Sequence, residues 1–209
     1  MAINRILTNI DRDNYKLTVD TMFKLCPEMM ARKVSLANVQ QAFVFDKVTD
    51  FYKDGDSILS VGCFEDTAYC SLLEYGYEVV GIDPEINYDL HTFSVIHPTK
   101  YNIIFSTSVI EHVKDDEQFI NDICYMLDSG GYGILTMDFK DEYKVGDPLP
   151  YSDVRFYTRY DLETRLVSIL NKNQCELLDK PDWSGKDNFT YQGHQYSFAT
   201  FVFRRTVHV

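Results

Sequence analysis

Apolar positions follow helical spacing over the first fifty residues and then alternate between strand-like and helix-like runs. Val39, Phe43, Val44, Val48, Phe51 and Tyr52 recur one helical turn apart behind Ser35, a residue able to cap a helix. Pro27 separates this helix from an earlier one over residues 14–25, because proline pushes the residue before it out of helical backbone. A turn at residues 53–56 ends the region. Residues 57–61 (SILSV) then read as a short buried strand ended by Gly62, residues 66–75 as a helix closed by Gly76, and residues 78–82 (EVVGI) as a second strand ending at Asp83-Pro84.

Residues 101–106 (YNIIFS) form a third strand, and residues 115–127 an amphipathic helix with Phe119, Ile120, Ile123, Met126 and Leu127 on one side. Gly130-Gly131 breaks that helix before a fourth strand at residues 132–137. Strands alternating with helices over short loops predict a parallel sheet covered on both faces. The end departs from this rhythm. A Thr-x-x-Asp start at Thr158 opens a helix with Leu162, Leu166, Ile169 and Leu170 as its buried stripe. Two further strands, residues 175–179 and 195–204, have no helical pattern between them and so predict an antiparallel pair.

Composition narrows the function. The 209 residues are 45% hydrophobic and 25% charged, an ordinary globular balance. A formal charge of −12 argues against nucleic acid as a partner and favours a small molecule. No apolar run is long enough to span a membrane and no secretory leader is read at the N-terminus, so a cytoplasmic setting is expected. Cys26, Cys63, Cys70, Cys124 and Cys175 form no CxxC pair; they read as reduced core thiols, and no metal site is assigned.

Ligands of open α/β sheets collect at the carboxyl ends of the strands, here Gly62, Asp83 and residues 106–111. Gly62 lets backbone approach a ligand, or is a plain turn glycine. Asp83, about twenty residues on, can accept hydrogen bonds from both ribose hydroxyls, or cap a helix. Together, each closing a strand, they favour a nucleoside-containing cofactor. The loop after Gly62 lacks the further glycines of a pyrophosphate site and carries Glu65 and Asp66. A cofactor without phosphate and with a positive charge suits it better than a dinucleotide.

The run from Ser57 to Cys63, followed by Val79-Val80-Gly81-Ile82-Asp83, resembles the first two motifs of class I S-adenosylmethionine-dependent methyltransferases. Residues 101–113, ending in Glu111-His112-Val113, and residues 127–136, with Gly130-Gly131, are similar to that family's later motifs. The resemblance covers roughly residues 57–139. It implies a Rossmann-like, mostly parallel seven-stranded sheet with helices on both faces, a C-terminal antiparallel pair and S-adenosylmethionine as cofactor. Residues 54–209 would form the cofactor-binding domain, and residues 1–53 a helical extension capping it. Gly62, Cys63 and Phe64 would line the methionine moiety, Asp83 and Pro84 the ribose, and Ser106, Thr107 and Ser108 the sulfonium side. Only seventeen residues lie between Asp83 and Tyr101, so the usual helix and strand there must be shortened; Asp89, Leu90 and His91 are the adenine-side candidates.

Methyl transfer is an in-line displacement in which positioning does much of the work, but an alcohol acceptor also needs a base. His112 is the candidate because imidazole titrates near neutrality; it could equally orient the following helix. Asp138, just past the fourth strand, is a second catalytic or substrate contact. Arg155 and Tyr157, in an aromatic- and arginine-rich segment, would bind acceptor, or else pack over the sheet edge with Arg155 in an ion pair. That segment and residues 196–200 look similar to methyltransferases of surface-polysaccharide pathways. The expectation is therefore O-methylation of a small polar acceptor, a sugar or glycan hydroxyl first, by a monomer or a homodimer. N- or carboxyl-methylation of another metabolite, and a binding or scaffold module that has lost catalysis, are the alternatives.

Overall fold

The computed structural model describes residues 2–207; Met1, His208 and Val209, the outer ends of the two expected segments, lie outside them. In chain order the elements are β1 (Ile6–Leu7), α1 (Asn9–Asn14), α2 (Lys16–Leu25), α3 (Pro27–Arg32), α4 (Asn38–Phe51), β2 (Ile58–Val61), α5 (Thr67–Tyr75), β3 (Val79–Ile82), α6 (Leu90–Ile96), β4 (Tyr101–Thr107), α7 (Asp116–Met126), β5 (Leu127–Phe139), α8 (Val167–Lys172), β6 (Cys175–Leu177), β7 (Phe189–Tyr191) and β8 (His194–Arg205). The sheet order is β1-β8-β5-β4-β2-β3, with β6 and β7 also pairing β8. β3, β2, β4 and β5 run parallel, and β8 runs antiparallel to β5. The chain leaves β2 toward β3 on one side and returns to β4 on the other, so the switch point where such sheets bind ligands falls between β2 and β4.

Adjacent strand residues point to opposite faces, and the core divides accordingly. Ile58, Ile103, Phe105 and Ile134 pack with Met22, Met30, Phe43 and Val44 of α2–α4 and with Leu72 of α5. Their neighbours Leu59, Ile104 and Leu135 pack with Phe93 of α6, Ile120 and Ile123 of α7, and Leu170 of α8. Both faces are thus covered by helices, and the fold is Rossmann-like α/β as expected. Asp66 caps α5 by accepting from the Tyr69 N–H (2.6 Å), and Gly76 ends that helix in left-handed backbone at φ +106. The Thr158–Asp161 box also forms, Thr158 Oγ donating to Asp161 Oδ2 at 2.7 Å, although its first turns (Asp161–Leu166) are π-helical before α8.

Several details differ from the sequence reading. Among the described residues the sheet has eight strands, not seven. β1 pairs Ile6 with Ala199 and Leu7 with Phe198, so the N-terminal segment is built into the sheet, and two residues are too short a run for alternation to show. β7 adds a hairpin on β8. Ser35 opens a 3₁₀ turn (Ser35–Ala37) and does not cap α4. β5 begins directly after α7, so Gly130-Gly131 lies inside a strand; a Cβ on Gly131 would stand 2.9 Å from the Asn102 carbonyl oxygen. Between β3 and β4 stands α6 alone, the shortening anticipated from the short spacing.

The cysteines are not all reduced. Cys26, at the α2–α3 junction, and Cys70, in α5, form a disulfide across a sequence separation of 44, while Cys63, Cys124 and Cys175 are free and buried. Sequence separation alone cannot reveal such a pair, because it depends on α5 packing against the N-terminal helices. Closing a loop of that length restricts the unfolded chain by about 4 kcal/mol. Cys70→Ser is therefore expected to lower unfolding free energy by up to about that amount, measured by urea titration with and without reductant. A variant as stable as the oxidised parent would show the bridge contributes nothing.

Candidate active site

A cavity of about 1010 Å³ opens at the carboxyl ends of β2–β5. At its first end β2 closes at Gly62, whose backbone is left-handed (φ +83) and whose Cβ position is occupied by Val109, 2.4 Å away. The N–H groups of Gly62 and Cys63 both donate to the Ile82 carbonyl (2.8 and 3.1 Å), fastening the tip of β2 to β3. Asp83, 9% exposed, accepts from the Phe64 N–H at Oδ2 (3.1 Å) and from the Glu85 N–H at Oδ1 (2.9 Å). Each oxygen accepts one backbone bond and keeps capacity for another, and Asp83 lines the cavity, the combination needed to hold vicinal hydroxyls. Phe64, Pro84 and Leu90 line the same end, with Asp89 capping α6 and His91 3.1 Å from Asp122.

Two side chains of the expected cofactor set lie behind the wall, which leaves Cys63 its backbone alone for a contact. Cys63 is buried, with its sulfur 2.8 Å from where a Gly81 Cβ would stand, and burial together with the Asp83 charge pushes its thiol up to about 11. Ser106 is buried within β4 and does not line the cavity. Side chains alternate along a strand, so of the Ser106-Thr107-Ser108 run only Thr107 and Ser108 face it.

The inner end gathers titratable groups. Ser108, in left-handed backbone at φ +55, donates its hydroxyl to Glu111 Oε1 (2.7 Å) and accepts from Gln40 Nε2 (3.3 Å). His112 Nδ1 stands 3.1 Å from Asp153 Oδ1. Asp138 and Tyr196 complete the wall from β5 and β8. Burial drives the Glu111 carboxyl upward, with the Asp153 charge adding to it and His112 and Ser108 opposing. Asp138 is driven well above the usual carboxylate range by burial and by the Glu111 and Asp153 charges. For His112, burial favours the neutral ring, but the Asp153 hydrogen bond and the Glu111 charge outweigh it and raise the imidazole to about 9.

Glu111 fell within the candidate stretch 106–111 without a catalytic role, whereas Asp153, Gln40 and Tyr196 were not assigned to the site from sequence. A polar Gln40 amid the apolar stripe of α4, and an acid directly before His112, were the signals available.

Arg155 and Tyr157 follow the alternative of an ion-paired aromatic cover and not that of acceptor binding. Neither lines the cavity, and Tyr157 is fully buried. Arg155 (2.5 Å) and Arg165 (2.8 Å) flank Asp116 Oδ2, which also accepts from the Tyr157 hydroxyl (2.8 Å). Arg155 further donates to the Val113 and Lys114 carbonyls. The cluster ties the loop before α8 to the start of α7. Asp116→Ala leaves Arg155 without its anion, while Arg165 keeps Asp161 at 3.1 Å, and is expected to cost about 3 kcal/mol in chemical denaturation, with acceptor KM unchanged. A KM change at unaltered stability would return Arg155 to the acceptor site.

The geometry defines a class: an α/β enzyme with a nucleoside-cofactor cleft at the switch point of its sheet. The particular family follows from comparison, since the model described as "Methyltransferase domain" matches residues 36–179, well over half of the chain. The chain belongs to that methyltransferase family, whose cofactor is S-adenosylmethionine. No curated protein sequence matches it. Among solved structures it is similar to TehB from Haemophilus influenzae (18% identity, TM-score 0.57, covering 78% of this chain), of whose length it spans 61%. It is also similar to the [4+2]-cyclase SpnF (15%, TM-score 0.56, covering 92% and 95% of the two chains). A third likeness is to magnesium protoporphyrin IX methyltransferase from Synechocystis PCC 6803 with bound SAM (15%, TM-score 0.53, covering 92% and 97%). At these identities the likeness carries the fold alone.

The residues present fit the cofactor. Asp83 offers ribose acceptors, and the glycine bend beside Glu65 and Asp66 suits a phosphate-free cation, with the Asp66 carboxyl and Thr107 hydroxyl lying close together in the cavity wall. Burial raises Asp66 to about 6, against the opposing effects of the Tyr69 and Thr107 hydrogen bonds and the Lys33 charge. Among the described residues no helix is long and apolar enough to cross a membrane.

Proposed function

We propose that this enzyme methylates a hydroxyl of a small polar acceptor, a sugar or glycan hydroxyl first among them, with His112 as the proton acceptor. The observation that carries the reading is the His112–Asp153 pair at the inner end of the same cavity that Asp83 borders. S-adenosylmethionine, when bound, supplies the methyl group as an electrophile. Gly62, Phe64, Asp83, Pro84, Leu90, Thr107 and Ser108 would hold it. Asp153 holds the imidazole by Nδ1, which leaves Nε2 to take the acceptor's proton, and it stabilises the imidazolium that results. Asp138 and Glu111 orient the acceptor.

A cytoplasmic setting, a homodimer, and residues 1–53 acting as a cap over residues 54–209 belong to the same proposal. The Cys26–Cys70 bridge, which a reducing compartment would open, is a direct check on the first of these. The test of function is transfer of labelled methyl from S-adenosylmethionine to matched polyols, monosaccharides, amines and carboxylates. Ether products support the reading; label only on nitrogen or carboxylate overturns it.

A further inference from the structure

We infer that the acceptor carries a protonated amine, held by the Glu111–Asp138 carboxyl pair on the antiparallel side of the cleft. The inference rests on the acceptor entering beside His112. Glu111 is 0% and Asp138 5% exposed; the Ser108 hydroxyl serves Glu111 Oε1 and the Tyr196 hydroxyl lies against Asp138, yet Glu111 Oε2 and Asp138 Oδ1 have no hydrogen-bond partner among the described residues, and both residues line the cavity. A buried carboxylate oxygen without a donor is costly, so such a pair marks the place of a missing donor or cation.

The nearby charges do not supply it. Of the three acids at this end, Asp153 and Glu111 both share the single His112 charge, and Asp138 has no cation of its own. Lys33 is the lone lysine or arginine lining the cavity among the described residues, and it lies 3.8 Å from Glu65. The upward displacement of both carboxyls by burial and mutual repulsion has the same origin. Phe189, Tyr196 and Phe198 form the adjoining wall, a surface that accommodates an ammonium group over ring faces.

Position separates this pair from the ribose end. Asp83 follows β3 and Asp138 lies at the end of β5, with β2 and β4 between them, a distance of three strand spacings or roughly 14 Å. Glu111, bonded to Ser108, stands on the border with the cofactor, so an ammonium seated at Asp138 belongs to the acceptor, and its hydroxyl would project toward His112.

The test is calorimetric binding to protein saturated with S-adenosylhomocysteine, using glucosamine against glucose and 2-phenylethylamine against 2-phenylethanol. At least one amine is expected to bind about tenfold or more tightly than its neutral counterpart. In Asp138→Asn that margin falls below about threefold, while affinity for S-adenosylhomocysteine stays within about threefold of the parent. The inference is overturned if neither amine reaches that margin, if the margin survives in the variant, or if cofactor-product affinity falls further. Glu111→Gln gives the same readout should Asp138→Asn fold poorly, and the comparison in the parent protein stands without either. Because binding and not turnover is read, failure here is distinct from failure to methylate hydroxyls.

Discussion

His112→Ala is expected to slow methyl transfer to a hydroxyl acceptor by about 10²–10⁴-fold, the usual contribution of a positioned general base. Binding of S-adenosylmethionine, anchored at the other end of the cavity, should change little. The pH profile gives the sharper signature. With the imidazole raised to about 9 by Asp153 and Glu111 against the effect of burial, the ring is protonated at neutral pH. Only the neutral ring can accept a proton, so kcat/KM for a hydroxyl acceptor climbs about tenfold per pH unit and levels near the value of 9. The alanine variant loses that climb. Activity within tenfold of the parent, or a parent profile flat between pH 6 and 9, would move the base elsewhere.

The second large effect is at Asp83. Asp83→Asn replaces an anion accepting at both oxygens by an amide that accepts at one and presents N–H₂ to the other. Charge-assisted hydrogen bonds contribute about 1.5–3 kcal/mol each, so losing one or two is expected to weaken S-adenosylmethionine about a hundredfold by calorimetry. The same oxygens accept from the Phe64 and Glu85 N–H groups, so the loop itself loosens. A cooperative melting transition is the control that separates lost binding from lost folding. Undiminished affinity in a folded variant would remove Asp83 from the ribose.

What the sequence made legible was local. Gly62 and Asp83 each end a strand, and strand ends can be read from a short apolar run and the polar residue that closes it. The parallel core strands, the helix closed by Gly76 and the Thr158–Asp161 box were legible for the same reason. Long-range partners were not. Arg155 and Tyr157 have the composition of a recognition segment, and only the fold shows that Asp116, 41 positions before Tyr157, already occupies them. The Cys26–Cys70 bridge and the two-residue strand β1 depend on how the N-terminal segment lies across α5 and β8. Glu111 could be seen beside His112, but its burial against Asp138, which raises both carboxyls, exists only once the turn after β4 meets the end of β5.

The most direct measurement is a crystal structure of the protein with S-adenosylhomocysteine bound. The ribose hydroxyls are predicted to lie within hydrogen-bond distance of the Asp83 carboxylate, with the sulfur on the side of the cavity bordered by Thr107 and Ser108. A nucleoside seated elsewhere, with Asp83 bonded only to the backbone of its own loop, would contradict the account.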